Sequence, residues 1–173
     1  MRDARWSAGR LEHARAVVEG VVDPELPFLT IADMGILRLV RFAPDGETVE
    51  VAITPTYSGC PAMDLIALDI AAALAQAGFP DVRIERVLSP AWTTDWLTPA
   101  AREKLAANGI APPEGGTDGP KGKRALFAEP AAVACPSCGS TATERVSEFG
   151  STPCKAHYRC RTCREPFQYF KCI

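Results

Sequence analysis

The chain has 173 residues, 47% of them hydrophobic, which suits one or two packed domains and excludes wholesale disorder. A formal net charge of −2 excludes the global basic field that holds nucleic acid nonspecifically. The seven cysteines are an odd number, so they cannot form a fully paired set of intrachain disulfides.

The first twenty residues carry Arg2, Asp3, Arg5, Arg10, Glu12, Arg15 and Glu19, which leaves no apolar core for an export signal. Ser7 can cap a helix with Leu11, Ala14 and Val18 on one face and Gly20 near its end. Asp23-Pro-Glu25-Leu-Pro27 cannot continue that helix, because both prolines remove backbone donors. Residues 36–42 and 48–54 read as strands around the turn sequence Ala43-Pro-Asp-Gly46. The second strand alternates, with Val49, Val51 and Ile53 inward and Thr48, Glu50 and Ala52 outward. Residues 61–77 read as a long helix ending at Gly78, with Ile66, Ile70 and Leu74 as its apolar stripe. Asp69 interrupts the apolar run 65–75, so no membrane span is expected. Residues 82–88 form a third strand, and Thr98-Pro99 starts a short helix that stops at Asn108-Gly109. These elements predict an α+β domain over residues 1–110, a small mixed α/β unit with helices on one face of a short sheet.

Residues 111–131 are rich in proline and glycine and read as a flexible linker. Charge changes sign nearby: residues 1–120 sum to −7 and residues 121–173 to +5. Opposite charges would let the two pieces dock, although each equally suits an independent soluble unit.

Residues 132–173 carry six of the seven cysteines. Cys135-Pro-Ser-Cys138-Gly139 and Cys160-Arg-Thr-Cys163 are two knuckles separated by 21 residues, the spacing of a four-thiolate zinc ribbon. Residues 141–149 and 156–159 read as hairpin strands, with 166–170 as the third. So small a module cannot bury enough surface to fold without the metal, so a structural zinc is expected at Cys135, Cys138, Cys160 and Cys163. Zinc on four thiolates leaves −2 at the site and lowers the tail's net charge from +5 to about +3. Cys154, His157 and Cys172 are left over. They suit either a second metal, a cluster or a redox thiol, or else plain packing; packing is the better reading for Cys172, and His157 between strands reads as structural.

Cys60 lies between a strand and the start of the long helix, in Thr54-Pro-Thr-Tyr-Ser-Gly-Cys60-Pro61. Amide donors at a helix start lower a thiol's pKa, and Thr54, Thr56, Tyr57 and Ser58 offer hydroxyls around it. The position suits a reactive or metal-accepting thiol, and equally a buried cysteine beside a helix-starting proline. The acidic turn of Asp23 and Glu25, and Asp33-Met-Gly35, could face it or could simply cap turns. His13, in the first helix, offers no base for a Cys/His mechanism, and no Gly-rich phosphate loop is present.

Asp23-Pro-Glu25-Leu26, Asp33-Met-Gly35 and Thr56-x-x-Gly59-Cys60-Pro61 resemble the small iron–sulfur assembly domain of SufT and the eukaryotic cytosolic iron–sulfur targeting factors. Many relatives have two adjacent threonines before the cysteine turn; the second is Tyr57 here. Ser89-Pro-Ala-Trp-Thr-Thr-Asp-Trp96, residues 149–160 and residues 165–173 extend the resemblance along the chain to the PaaD family, encoded with bacterial phenylacetyl-CoA epoxidase. That resemblance implies a cytoplasmic accessory protein of aerobic phenylacetate catabolism, not the catalytic subunit. It implies maturation of an iron–sulfur or di-iron centre, with Cys60, Asp23, Glu25 and Thr56 handling a transient cluster or iron. The partners it implies are the oxygenase or reductase subunits and the iron–sulfur assembly machinery, with no membrane. The residues agree that the di-iron site lies elsewhere, since neither His13 nor His157 completes a Glu-x-x-His pair. Two other functions compete: an adaptor that bridges subunits without metal transfer, and a nucleic-acid-binding ribbon using Lys121, Lys123, Arg124, Arg145, Arg159, Arg161 and Arg164. The acidic first domain opposes the last.

Overall fold

The computed structural model describes residues 2–113 and 133–171, which fall into two compact units, Met1–Trp92 and Thr93–Ile173. The first unit runs α1 (Arg2–Glu19), β1 (Leu37–Phe42), β2 (Val49–Ile53), α2 (Ala62–Gln76) and β3 (Val82–Arg86). Strand order is β1-β2-β3, with β1 antiparallel and β3 parallel to β2. A parallel pair needs a crossover, and α2 supplies it. Helix α1 packs on β1 and α2, and α2 on β3. Ala14 and Val18 from α1, Val49, Val51 and Ile53 from β2, and Ile66, Ile70 and Leu74 from α2 are all buried. Each fully buried aliphatic side chain contributes roughly 1.5–3 kcal/mol relative to exposure. Ala52, expected outward, is also buried.

Residues 21–36 form no regular element beyond the bridge Val22↔Thr30, yet they are as well packed as the sheet. Leu26, Leu29, Ile31, Met34 and Ile36 are buried there. Asp33 and Thr30 cap each other: Thr30 N donates to Asp33 Oδ2 at 3.2 Å and Asp33 N to Thr30 Oγ1 at 3.0 Å. The indole N–H of buried Trp92 then fastens the turn by donating to Met34 O at 2.9 Å.

The second unit begins before the ribbon. A 3-10 turn (Thr94–Trp96) leads to α3 (Pro99–Ala107), capped by the Thr98 hydroxyl, which accepts from Ala101 N at 3.0 Å. Strands β4 (Ile110–Ala111), β5 (Thr143–Ser147), β6 (Lys155–Cys160) and β7 (Pro166–Phe170) follow. They form one sheet in the order β4-β7-β6-β5, with β4 parallel to β7. Ala111, Val133, Ala156, Tyr158 and Phe167 share its core with Cys135 and Cys160. The division between units therefore falls at Trp92/Thr93 and not at residue 110, because β4 hydrogen-bonds into the ribbon sheet. Ala111, expected to open the linker, is a strand residue, and 114–131 lie outside the described residues. Among the described residues, no helix is long and apolar enough to cross a membrane.

Candidate functional site

Two sites stand out, one in each unit. In the ribbon, each knuckle is closed by a backbone clamp between residues five positions apart: Cys135 N donates to Ser140 O and Cys160 N to Glu165 O, both at 3.0 Å. The residue after the second cysteine is left-handed in both, Gly139 at φ 72° and Arg164 at φ 68°. Glycine adopts that conformation without steric cost; arginine does not. The hydroxyls of Ser140 and Thr162 pair at 2.8 Å across the knuckles.

This places all four sulfurs within 4.8 Å of one another. Cys135 and Cys163 Sγ are 3.7 Å apart, and Cys138 and Cys160 Sγ 3.6 Å. A tetrahedral zinc with bonds of about 2.3 Å requires sulfur–sulfur edges of about 3.8 Å, so the set fits that ion. The Cys163 backbone N–H, 3.5 Å from the Cys160 sulfur, is the largest influence on that thiol. It outweighs burial and, with the Thr162 N–H, brings the Cys160 thiol down to about 6. At Cys163 the Glu165 N–H is overcome by burial and the neighbouring cysteine side chains, which push that thiol up to about 12. An incoming metal must therefore displace a proton from the set. Cys154 is buried outside this set and contacts Thr152 Oγ1 at 3.0 Å, and His157 is exposed. The burial of Cys154 is compatible with packing, the exposed His157 is not a packed residue, and Cys172 lies outside the described residues.

The second site is Cys60. β2 and β3 run parallel, so their carboxyl ends lie together, and α2 starts at that end. Open α/β sheets bind ligands at that end. Gly59, at φ 82°, turns the chain out of the loop, and Cys60 N donates to Tyr57 O at 3.2 Å. Pro61 is the N-cap of α2 and gives no side-chain cap; Met63 N donates to Cys60 O at 3.4 Å, and the Ala62 amide is left for another acceptor. The half-buried Cys60 sulfur fills that role: the Ala62 backbone N–H and the Tyr57 side chain both hydrogen-bond it. Asp64 in the first turn pairs with Arg86 at the end of β3 and ties the two elements together.

Two of the expected partners act on this sulfur. The carboxylates of Asp23 and Glu25 influence it electrostatically. Asp23 is 5% exposed, and its Oδ1 accepts from Glu25 N and Leu26 N, each at 2.9 Å, so the residue also caps its own turn. Thr56 is buried in the loop that leads to Cys60. The Thr54 hydroxyl is buried with no hydrogen-bond partner among the described residues. One expectation is reversed. Burial, the largest influence, pushes the Cys60 thiol up, Asp23 and Glu25 push the same way, and the Ala62 and Tyr57 hydrogen bonds only partly offset them. The resting thiol is protonated at neutral pH, because desolvation of the sulfur outweighs the helix start. Sequence reasoning missed Arg164's backbone, which no composition signal marks, and β4, which is too short to show a period.

Comparison with known proteins follows the same division. Residues 119–171 match the family described as PaaD zinc beta ribbon domain, and residues 11–86 match the family described as iron-sulfur cluster assembly protein. A protein of Escherichia coli K12, provisionally named as the D-type subunit of 1,2-phenylacetyl-CoA epoxidase, is 48% identical over 91% of this chain and 90% of its own. A solved DUF59 domain of unknown function from Bacillus anthracis shares the fold, at 23% identity and TM-score 0.53, over 59% of this chain and 96% of that one. A conserved hypothetical protein from Thermotoga maritima aligns at 27% identity and TM-score 0.45, over 54% and 91% of the two chains. Because the 48% identity runs through both units and not one alone, the chain belongs to the PaaD family of phenylacetyl-CoA epoxidase subunits.

Proposed function

We propose that the chain is a non-catalytic maturation factor of the epoxidase system, working in the cytoplasm. Its cargo is iron or an iron–sulfur cluster, taken up through Cys60 and passed to an oxygenase or reductase subunit. The iron–sulfur assembly machinery is the proposed source. Zinc on Cys135, Cys138, Cys160 and Cys163 is the structural ion of the ribbon. The observation that carries the reading is the environment of Cys60: one thiol at the start of α2, with two carboxylates acting on it. Those carboxylates disfavour the bare thiolate and favour a cation beside it. When the thiol proton leaves, the Ala62 N–H and the Tyr57 side chain hold the sulfur's charge. Among the described residues only the four ribbon cysteines form a complete metal-ligand group, so Cys60 suits passing cargo better than keeping it.

The test is Cys60→Ser in cells that depend on the epoxidase, with thermal stability of the purified variant alongside. The swap is nearly isosteric, but serine supplies no thiolate at neutral pH. Lost epoxidase activity with an unchanged melting temperature supports the maturation role. Full activity removes Cys60 and leaves the adaptor function.

A further inference from the structure

The ribbon carries an open cleft of about 480 Å³ lined by Glu144, Arg159, Cys160, Arg161 and Arg164. Three arginines line it, and two of them, Arg159 and Arg161, share a single carboxylate. Glu144 Oε1 accepts from Arg159 Nε at 2.8 Å, and Oε2 accepts from Arg161 Nε at 3.0 Å. This brace fixes two long side chains in place, yet leaves them 59% and 67% exposed. A guanidinium has five N–H donors in a planar fork, so the brace leaves donors on both arginines unused.

Arg164 supplies a second, independent observation. It is the only non-glycine residue with positive φ among the described residues, at 68°. The matching place in the first knuckle holds Gly139. A side chain kept where glycine would serve the backbone better points to a use for that side chain.

We infer that this cleft docks an acidic segment of a partner protein, with neighbouring Asp or Glu carboxylates gripped by Arg161 and Arg164. Glu144 already shows a carboxylate paired by two guanidiniums within the cleft. Such pairing acts at short range and depends on the planar fork. A nucleic acid depends instead on a long-range excess of positive charge. That excess is absent once a zinc tetrathiolate and Glu144 are set against three arginines. The inference does not depend on metal transfer at Cys60.

The test uses the full-length, zinc-loaded protein and fluorescence anisotropy of a labelled hexaglutamate peptide at low salt. A hexalysine peptide and a short oligothymidylate serve as comparisons. Hexaglutamate is expected to bind more tightly than either. Arg161→Gln and Arg164→Gly should each weaken it by about two- to fivefold while keeping one zinc per chain. Arg164→Gly is the sharper variant, because it relieves the backbone while removing the guanidinium. Unchanged peptide affinity in both variants overturns the inference, as does tighter binding of the oligothymidylate or no preference over hexalysine.

Discussion

Replacing Arg164 with glycine should stabilise the ribbon, and replacing Gly139 with alanine should destabilise it by a similar amount. Both residues hold the same left-handed conformation at equivalent places, φ 68° and 72°, so the pair isolates one variable. A non-glycine residue in that conformation costs roughly 1–2 kcal/mol. Glycine returns about 0.5–1 kcal/mol of that advantage through the entropy of the unfolded chain. The expected net gain for Arg164→Gly is therefore about 0–1.5 kcal/mol, centred on ~0.75 kcal/mol. Arg164 is exposed and makes no ion pair among the described residues, so little is lost with the side chain. At Gly139 an added Cβ would meet no neighbouring atom within 4 Å, so Gly139→Ala reports the left-handed backbone cost, offset by the unfolded-chain entropy, without a packing clash. For a unit of this size, about 1 kcal/mol moves the melting temperature by roughly 4–8 °C. The assay is thermal unfolding of the full-length protein at one fixed, saturating zinc concentration, because metal binding itself shifts the midpoint. The double variant should melt near the wild type. A drop in midpoint for Arg164→Gly, or no change for Gly139→Ala, would refute the reasoning that φ governs these two positions.

Chelation of zinc should unfold residues 133–171 while the helical circular dichroism of α1 and α2 persists, since structural zinc contributes ~10–16 kcal/mol to folding of small modules; a folded ribbon in metal-free protein would contradict it. Cys60 should react with iodoacetamide more slowly at pH 7 than a free cysteine, because burial and the Asp23 and Glu25 carboxylates raise its pKa. Glu25→Gln should speed the reaction, as read by peptide mass spectrometry over a pH series. The same shift sets a stability trend: the folded state holds this proton more tightly than the unfolded one, so the contribution is full below the ordinary thiol pKa and is lost as pH rises through the raised, folded-state value.

Much of the fold was legible in the sequence. Pro166–Phe170 stands as read, and β2 lies within the alternating run 48–54. Helix α2 begins just past Pro61 and stops before Gly78, the two residues that bracket it. Helix α1 begins well before Ser7, because the residues ahead of it are also good helix formers. Residues 21–36 have no period to read, yet bury Leu29 and Ile31 completely, since isolated turns hold their shape through capping bonds and not through a repeating face. The four ribbon cysteines were legible from their spacing, because each tight knuckle sets two sulfurs side by side and the β5–β6 hairpin brings the two pairs together. Cys60 was harder. Its place at a helix start follows from Gly59 and Pro61, but its acidity depends on how much water the surrounding fold excludes, and no local pattern encodes that.

The short pairing of Ile110 with Gln168 and of Ala111 with Tyr169 matters for any attempt to cut the ribbon free. A fragment that begins at residue 119 or 132 keeps all four sulfur ligands but lacks β4. Strand β7 would then become an outer strand, with its amides and carbonyls at Gln168 and Tyr169 open for pairing. Unprotected outer strands recruit strands from other molecules. Self-association of such a fragment would therefore reflect the missing residues and not a property of the intact chain. A fragment starting at Thr93 carries its own edge guard.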